Sequence, residues 1–263
     1  MKPFLKYAGG KTQSLQYIYP LIPKKFNTYY EPFLGGGSLY FFLNPEKAVI
    51  SDINRDLMVT YLVCRDNLQE LIDLLRAYPN DKAFYSKMRE KCVNSLSCVE
   101  VAARFIYLNK TCYNGLYRVN SKGIFNVPFG NYSNPSICDE QALKQTSQCL
   151  QNAQIYFADF ATILKDARCG DFVYMDPPYV PVEKNSFVQY SQDVFDMACQ
   201  ERLAEEFKRL VKKDVKVLLS NSDTEWVRET YKEFNLIEIK SKRSINSKGS
   251  GRGKITELLV KGY

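Results

Sequence analysis

The chain has 263 residues, a formal net charge of +7, 19 tyrosines, 16 phenylalanines and no histidine. This length suffices for one large or two modest domains with a core that folds independently. The absence of histidine, and of any Cys-x-x-Cys among the eight cysteines, argues against a metal site and against Ser-His or Cys-His catalysis.

The N-terminal residues show no apolar signal core, and no stretch approaches the roughly 20 apolar residues of a membrane span. We therefore expect a cytoplasmic protein of a reducing compartment with no membrane partner. The positive charge and the many aromatic rings favour a polyanionic partner and base stacking. A charge of this size is also common in ordinary proteins.

The first motif covers residues 4–12 and ends in Gly10-Lys11-Thr12. This ending resembles a P-loop, but that pattern needs a glycine at position 5, where Leu5 stands. No strand long enough to launch a P-loop precedes it, so a nucleoside triphosphatase is not favoured. The two glycines still let a ligand approach the backbone, with Lys11 and Tyr7 available to contact a carboxylate and a ring.

A glycine turn and an acid follow at the ends of two short predicted strands. The first strand begins at Tyr29 and runs into Gly35-Gly36-Gly37 and an apolar helix over residues 39–43. The second strand, residues 48–52, ends in Asp52. This combination is typical of a nucleoside site, in which the acid binds a ribose diol. The alternative is a tight turn followed by a helix N-cap at Asp52.

The middle of the chain is helical. Apolar residues recur at helical spacing from Leu57 to Leu75, which predicts one helix that ends at Tyr78-Pro79. Ser97 and Glu100 predict a capping box at the start of a second helix. We assign both apolar stripes to the core and give them no function.

Residues 109–130 interleave aromatic, amide and basic side chains without an amphipathic stripe. They predict a hairpin that turns at Lys122-Gly123. Such a surface suits the reading of base edges, although an ordinary exposed hairpin can have the same composition. Near the C-terminus, residues 247–253 predict a flexible basic loop. Its Arg252 contacts phosphates if the loop binds DNA, or else the loop is a solvated connector.

From residue 154 onwards the pattern is α/β. A helix face is predicted by Cys199, Leu203, Phe207 and Leu210. Strands are predicted over residues 154–157, 171–175, 215–220, 236–239 and 256–260.

The strand over residues 171–175 ends abruptly at Asp176-Pro177-Pro178-Tyr179, because a proline offers no N–H to the ladder. A carboxylate, two backbone carbonyls without local donors and an aromatic face thus stand at the sheet edge where α/β proteins bind ligands. Asp176 and the Pro177 carbonyl can accept both N–H bonds of a nucleobase amino group, while Tyr179 stacks on a base flipped from the duplex. The alternative is a simple turn with a core tyrosine.

Taken in order, these motifs resemble those of the DNA adenine methylase (Dam) family over nearly the whole chain. The matching segments are residues 4–11, 31–38, 52–54, 113–118, 125–130, 176–179 and 220–223. The resemblance implies an α/β fold, with a Rossmann-like methyltransferase sheet and an inserted helical and β-hairpin target-recognition domain. The implied domains are catalytic residues 1–56, recognition residues 57–144 and catalytic residues 145–263, which is the family's alpha-class order.

The resemblance also implies methyl transfer from S-adenosylmethionine to adenine N6 in double-stranded DNA, commonly at GATC, without a metal. Its implied catalytic residues are Asp176, Pro177, Pro178 and Tyr179. Its implied cofactor residues are Tyr7, Lys11 and Asp176 near the methionine part, Phe33 and Gly35 beneath the cofactor, Asp52 on the ribose, and Asp159 and Phe160 at the adenine. Its implied DNA contacts are Lys6, Tyr113, Asn114, Leu116, Arg118, Asn126 and Pro128.

Three positions depart from the family pattern. Tyr7 stands where members often carry tryptophan, Asn131 where they carry a basic residue and Ser222 where they carry histidine. Within the class, a cytosine-N4 DNA methylase and an RNA adenine methylase remain alternatives. From a different class, a non-catalytic DNA-binding relative is opposed by the intact motif at residues 176–179. Oligomeric state, host and restriction partner stay open.

Overall fold

The computed structural model describes residues 1–120, 124–181, 195–242 and 254–263. In this part of the chain, a seven-stranded sheet has the order β3-β2-β1-β4-β5-β7-β6, which confirms the predicted mixed α/β fold. The strands are β1 (Tyr29–Glu31), β2 (Ala48–Asp52), β3 (Ala153–Phe157), β4 (Phe172–Met175), β5 (Lys216–Ser222), β6 (Asn235–Lys242) and β7 (Lys254–Lys261).

The strand order places β4 at the middle of the sheet. β1 runs parallel to β2 and β4, and β4 runs parallel to β5, with Val173 opposite Tyr30 on one side and Val217 on the other. β7 is antiparallel to both β5 and β6. All four residues of β4 are buried, as expected for a parallel strand covered on both faces. Because β1, β4 and β5 are parallel, their carboxyl ends meet at one edge of the sheet.

The helices cover much of the remaining described chain. Their bounds are α1 (Leu15–Ile18), α2 (Ser38–Leu43), α3 (Arg55–Asp66), α4 (Leu68–Ala77), α5 (Lys82–Glu90), α6 (Cys98–Thr111), α7 (Glu140–Leu150), α8 (Phe160–Leu164), α9 (Met197–Lys212) and α10 (Glu225–Thr230). Short 3₁₀ helices span Lys11–Gln13, Tyr19–Leu21, Val93–Ser95 and Tyr113–Gly115. Every helix described is too short or too polar to cross a membrane.

The capping box is confirmed: Ser97 Oγ accepts from Glu100 N at 3.2 Å, and the Glu100 carboxylate accepts from Ser97 N at 2.9 Å. The single helix predicted from Leu57 to Leu75 is wrong. It is broken at Asn67, whose φ of −128° and ψ of 39° leave the helical region. Apolar spacing continues across the break, so the period of the sequence does not reveal it.

Helix α5 was not predicted. Asp81 caps it by accepting a hydrogen bond from Phe84 N at 2.7 Å. An aspartate placed shortly after Pro79 is an N-terminal helix signal that could have identified this helix.

The chain divides into two compact units. Unit 1 comprises residues 1–10, 34–44 and 52–157, and unit 2 comprises residues 11–33, 45–51 and 158–263. In unit 1, α3 packs on α6 and α7. In unit 2, β4, β5 and β7 share an apolar core with α9. These units group residues by packing, so the functional boundaries at residues 56/57 and 144/145, and the inserted recognition domain, stay predictions.

The predicted hairpin is an antiparallel pairing held by isolated bridges. Cys112 pairs with Phe129, and Val119 pairs with Phe125. Asn126 N donates to Arg118 O at 3.0 Å. The predicted turn at residues 122–123 and the basic loop at residues 247–253, which includes Arg252, lie outside the described residues.

Candidate active site

The predicted catalytic motif, residues 176–179, leaves the sheet directly after β4, and buried side chains hold its backbone. Gln200, on α9, donates from Nε2 to the Pro178 carbonyl at 2.7 Å. Asn221, at the end of β5, accepts from Val180 N at 3.1 Å and donates to Gln200 Oε1 at 3.2 Å. Ser222 Oγ donates to the Val180 carbonyl. Gln200 and Asn221 are fully buried, so this network fixes the loop.

The sequence predicted only that the proline carbonyls have no local donors. The Pro178 carbonyl accepts instead from Gln200, 22 residues away. A side chain distant in sequence supplies that donor, so local patterns could not indicate it. The Pro177 carbonyl has no hydrogen-bond donor among the described residues, and it keeps the acceptor capacity that the motif predicts.

Asp176 lies against Lys11 in unit 2. Lys11 Nζ is 2.9 Å from Asp176 Oδ1, and both side chains are largely buried. Burial raises the pKa of Asp176, while the nearby Lys11 charge works in the opposite direction. Hydrogen bonds from Lys11 and Tyr179 also lower the pKa of this carboxyl group. A carboxylate oxygen accepts more than one hydrogen bond, so buried Oδ1 can still accept from a donor that enters the site.

The Tyr179 ring is held at two points. Lys11 Nζ lies 4.7 Å from the ring centroid, and the Tyr179 hydroxyl donates to Glu257 Oε2 on β7 at 3.0 Å. Burial, together with the nearby charges of Asp176 and Glu257, holds the pKa of Tyr179 well above its usual value. Beneath the motif, the Tyr174 hydroxyl bonds to Ser220 Oγ at 2.8 Å.

Three predicted cofactor residues of unit 2 come together. Phe33 packs on Phe160, with ring centroids 5.4 Å apart. Asp159 caps α8 by accepting from Ala161 N at 3.0 Å, and the same oxygen accepts from Arg202 at 2.7 Å. The Arg202 guanidinium also lies over the Phe160 ring, 4.9 Å from its centroid. Half-buried Phe33 and the half-exposed Asp159 carboxylate form a surface that suits a planar ring bearing an amino group, and buried Phe160 supports it from below.

The predicted glycine-and-acid site forms in unit 1. Gly35 has a φ of 49°, which favours glycine, and its N–H donates to Asp52 Oδ2 at 2.9 Å. Asp52 Oδ1 accepts from Asn54 N at 2.9 Å. The alternative reading of Asp52 as a helix cap is wrong, because Asn54 caps α3 by accepting from Leu57 N at 3.2 Å. Burial raises the pKa of Asp52, and these backbone N–H groups lower it.

Tyr7 completes this site. A Cβ atom on Gly35 would lie 3.1 Å from the Tyr7 ring, so glycine lets the backbone pack directly against that ring. The Tyr7 hydroxyl accepts from Asn54 Nδ2 at 3.1 Å, and its ring stacks on Tyr117. Burial raises the pKa of Tyr7, and the Asp52 charge adds to that shift.

Several residues at these sites were not identified from sequence. Ile53 and Asn54 directly follow Asp52. Ile53 is an apolar residue that is 47% exposed, and only the structure reveals this exposure. Glu257 and Arg202 act on Tyr179 and Asp159 from distant parts of the chain. No local pattern indicates such contacts.

The predicted DNA contacts all lie in unit 1, on or beside the bridged segment. Arg118 Nε donates to Asn126 Oδ1 at 2.7 Å on an exposed surface. Lys6 points towards the Tyr132 ring, whose hydroxyl accepts from Asn114 N. Tyr113 and Pro128 are exposed, and Leu116 is half-buried. The segment therefore presents donors, acceptors and rings to solvent, as a base-reading surface requires.

The departure at Asn131 has a local cause. Its φ of 52° lies in the left-handed region, which asparagine enters more readily than lysine or arginine. The departure at Ser222 also has a structural role, since its hydroxyl bonds to the Val180 carbonyl of the catalytic loop.

Comparisons with known proteins give one consistent result. A family model described as D12 class N6 adenine-specific DNA methyltransferase matches residues 7–245. A Type II methyltransferase of Lactococcus lactis subsp. cremoris, M1.LlaDCHI, is 44% identical over 272 residues, which cover 100% of this chain and 96% of the relative. The Type II methyltransferase M.MjaIII of Methanocaldococcus jannaschii is 43% identical, with 100% and 99% covered.

The DNA adenine methylase of Escherichia coli K12 is 36% identical over 264 residues, which cover 98% of this chain and 94% of that enzyme. Among solved structures, a precorrin 8W decarboxylase of Methanobacterium thermoautotrophicum aligns with a TM-score of 0.39 at 10% identity, covering 100% of this chain and 96% of that one. A similarity this weak supports no conclusion about this chain.

Proposed function

Because the chain belongs to the D12 class N6 adenine-specific DNA methyltransferases, we propose that it methylates adenine N6 at GATC in double-stranded DNA, using S-adenosylmethionine. One observation carries the proposal for the site: β4 ends in two acceptors, the buried Asp176 carboxylate paired with Lys11 and the Pro177 carbonyl, which has no donor among the described residues. Two acceptors so placed match the two N–H bonds of an exocyclic amino group. Both acceptors lie at the end of a buried strand, so the target adenine must leave the duplex to reach them.

The residues present fit S-adenosylmethionine, which supplies an electrophilic methyl group on a sulfonium when bound. In unit 2, half-buried Phe33 packs on Phe160 and offers a ring to an adenine, and Asp159 offers a carboxylate oxygen to its amino group. In unit 1, Gly35 leaves its backbone accessible next to the Tyr7 ring. Asp52 retains acceptor capacity for ribose hydroxyls, because each carboxylate oxygen accepts more than one hydrogen bond.

The chain's own residues then account for the reactivity of the amine. The N6 lone pair is normally delocalised into the ring and is a poor nucleophile. Asp176 and the Pro177 carbonyl accept both N–H bonds and direct the lone pair towards the methyl group. Tyr179 stacks on the base and holds its plane. The amine nitrogen would take the methyl group as the bond from that group to the cofactor sulfur breaks, and the methylated amine would then release one proton, so no residue needs to act as a base before the transfer.

We infer recognition of DNA by the exposed segment of unit 1. Lys6, Tyr113, Asn114, Leu116, Arg118, Asn126 and Pro128 match the positions that Dam enzymes use on DNA, which is the basis for GATC. Action on DNA also favours a cytoplasmic location. Two relatives are named Type II methyltransferases, which favours a restriction–modification setting for this chain as well.

The test is product analysis. The purified chain is incubated with labelled S-adenosylmethionine and a duplex that contains one GATC, and the nucleosides are separated after digestion. We expect N6-methyladenine in the GATC duplex and no label in the same duplex already methylated at both adenines. Label in N4-methylcytosine, or transfer to RNA in preference to DNA, would overturn the proposal. Absence of transfer to any substrate would favour a non-catalytic relative.

A further inference from the structure

We propose that Glu257 is a positioning residue for the target base, because it anchors the hydroxyl of the tyrosine on which that base stacks. The inference rests on the proposed function and adds a residue to it. Glu257 lies on β7 opposite Ser222, in a strand paired on both sides. The next three residues of the strand, Leu258, Leu259 and Val260, are fully buried. A partly buried carboxylate in such a strand is costly unless it is paired.

The pairing partner is Tyr179. Its hydroxyl donates to Glu257 Oε2 at 3.0 Å, and 78 residues separate the two in sequence. This bond is partly buried, and a hydrogen bond to a carboxylate is stronger than one to a neutral acceptor. Glu257 therefore fixes the far end of the tyrosine side chain, while the rest of the sheet fixes Glu257.

The near end of Tyr179 is already fixed. Gln200 holds the carbonyl of Pro178, the residue before it, and Asn221 holds the N–H of Val180, the residue after it. With the backbone held on both sides and the hydroxyl anchored, the two side-chain torsions have little freedom. The plane of the ring is therefore set before a base arrives.

The position of Lys11 explains why the orientation of the Tyr179 ring plane matters. Its ammonium lies 4.7 Å from the centroid on one face of the ring, and the base is proposed to lie on the opposite face. The same ammonium is 2.9 Å from Asp176 Oδ1. A ring that rotated away from Glu257 would therefore alter the stacking face relative to the acceptor that binds the amino group. Glu257 acts on the base through Tyr179 and touches no reacting atom.

Two substitutions separate position from charge. Glu257→Gln keeps an oxygen that accepts from the Tyr179 hydroxyl and removes only the charge. Glu257→Ala removes the acceptor. Positioning predicts that Glu257→Gln retains most of the wild-type kcat, whereas Glu257→Ala loses roughly tenfold, the size expected for a lost hydrogen bond to a charged group. The KM for S-adenosylmethionine should not change in either variant.

Base stacking is measured independently of turnover. A duplex with 2-aminopurine at the target adenine is bound in the presence of S-adenosylhomocysteine, and the fluorescence reports the unstacked base. We expect the wild type and Glu257→Gln to give the same fluorescence and Glu257→Ala to differ. Tyr179→Phe removes the same bond from the other side and leaves β7 untouched, but it also removes the hydrogen bond to Asp176, so its effect should be at least as large as that of Glu257→Ala. The double variant should be no worse than Tyr179→Phe alone.

Glu238→Ala is the matched control, because Glu238 is an exposed carboxylate on the neighbouring strand β6 whose partner is Arg228. It should leave kcat and fluorescence unchanged. Thermal unfolding of each variant identifies a loss of fold, and if Glu257→Ala does not fold, Tyr179→Phe decides alone.

Wild-type kcat in Glu257→Ala or in Tyr179→Phe would overturn the inference, as would equal losses in the alanine and glutamine variants or additive losses in the double variant. If the wild type itself forms no N6-methyladenine, the proposed function fails instead.

Discussion

The catalytic loop of unit 2, residues 176–180, and the bridged segment of unit 1, residues 109–130, are built in opposite ways. Fully buried Gln200 and Asn221 hydrogen-bond to the loop backbone, and these bonds fix the direction of its acceptors. The bridged segment holds isolated antiparallel bridges and displays exposed side chains such as Tyr113 and Arg118. Chemistry at one amine needs groups fixed before binding, whereas reading a duplex needs donors and acceptors that face solvent. Substitutions should therefore act on rate in the first region and on discrimination in the second.

The largest effect is expected at the centre of the loop. Asp176→Asn replaces an acceptor with a group that is partly a donor and faces the target amine. Loss of a transition-state acceptor of this kind costs ~3 kcal/mol or more, so methylation should fall by more than about a hundredfold with the fold intact. Single-turnover methylation and circular dichroism measure the two quantities. Near-normal turnover would contradict the role given to Asp176.

A smaller effect is expected one layer out. Gln200→Ala leaves the Pro178 carbonyl and the Asn221 amide without their buried partner. An unsatisfied buried group costs about 1–3 kcal/mol, so the free energy of unfolding should fall by that amount and kcat should fall as the loop loosens. Denaturant unfolding and initial rates measure both. Glu201→Ala, an exposed neighbour on the same helix, should change neither. If the two variants had equal unfolding free energy and equal kcat, the buried network would support neither the fold nor the rate.

Asp52→Ala tests a site that binds without reacting. A ribose contact is present equally in the ground and transition states, so its loss should raise the KM for S-adenosylmethionine and leave kcat at saturation nearly unchanged. Calorimetry of cofactor binding checks the change directly. Because Asp52 also binds the Gly35 and Asn54 N–H groups, unfolding must be measured alongside. Unchanged cofactor affinity would leave Asp52 with a structural role only.

The most selective effect is expected on the bridged segment. Arg118 is predicted to pair with guanine O6 and N7, and Asn126 orients its guanidinium. Arg118→Ala should cost ~1–3 kcal/mol at one base pair of GATC and relax discrimination there. Methylation of duplexes with single substitutions measures this. A uniform loss across all duplexes, with the slope of log K against log salt lowered by about one, would identify a phosphate contact instead.

Local patterns in the sequence determined the elements that carry the site. The run of β-forming residues before Asp176 predicted β4, the two prolines predicted its end, and Ser97 with Glu100 predicted a helix start. These signals succeed because strand and helix periods, proline geometry and capping act between residues close in sequence. The order of the motifs likewise indicated the family that the comparisons establish.

Tertiary structure decided which groups in the motifs are available and which are engaged. Gln200 occupies the Pro178 carbonyl, Glu257 anchors Tyr179, and Asn54 rather than Asp52 caps α3. Asn67 breaks a helix whose apolar spacing runs on unbroken. The first two contacts join residues 22 and 78 positions apart, and only the packed sheet brings them within hydrogen-bond distance. The sequence determines which chemical groups are present. The fold determines which of these groups are already hydrogen-bonded and which side chains are held in one orientation.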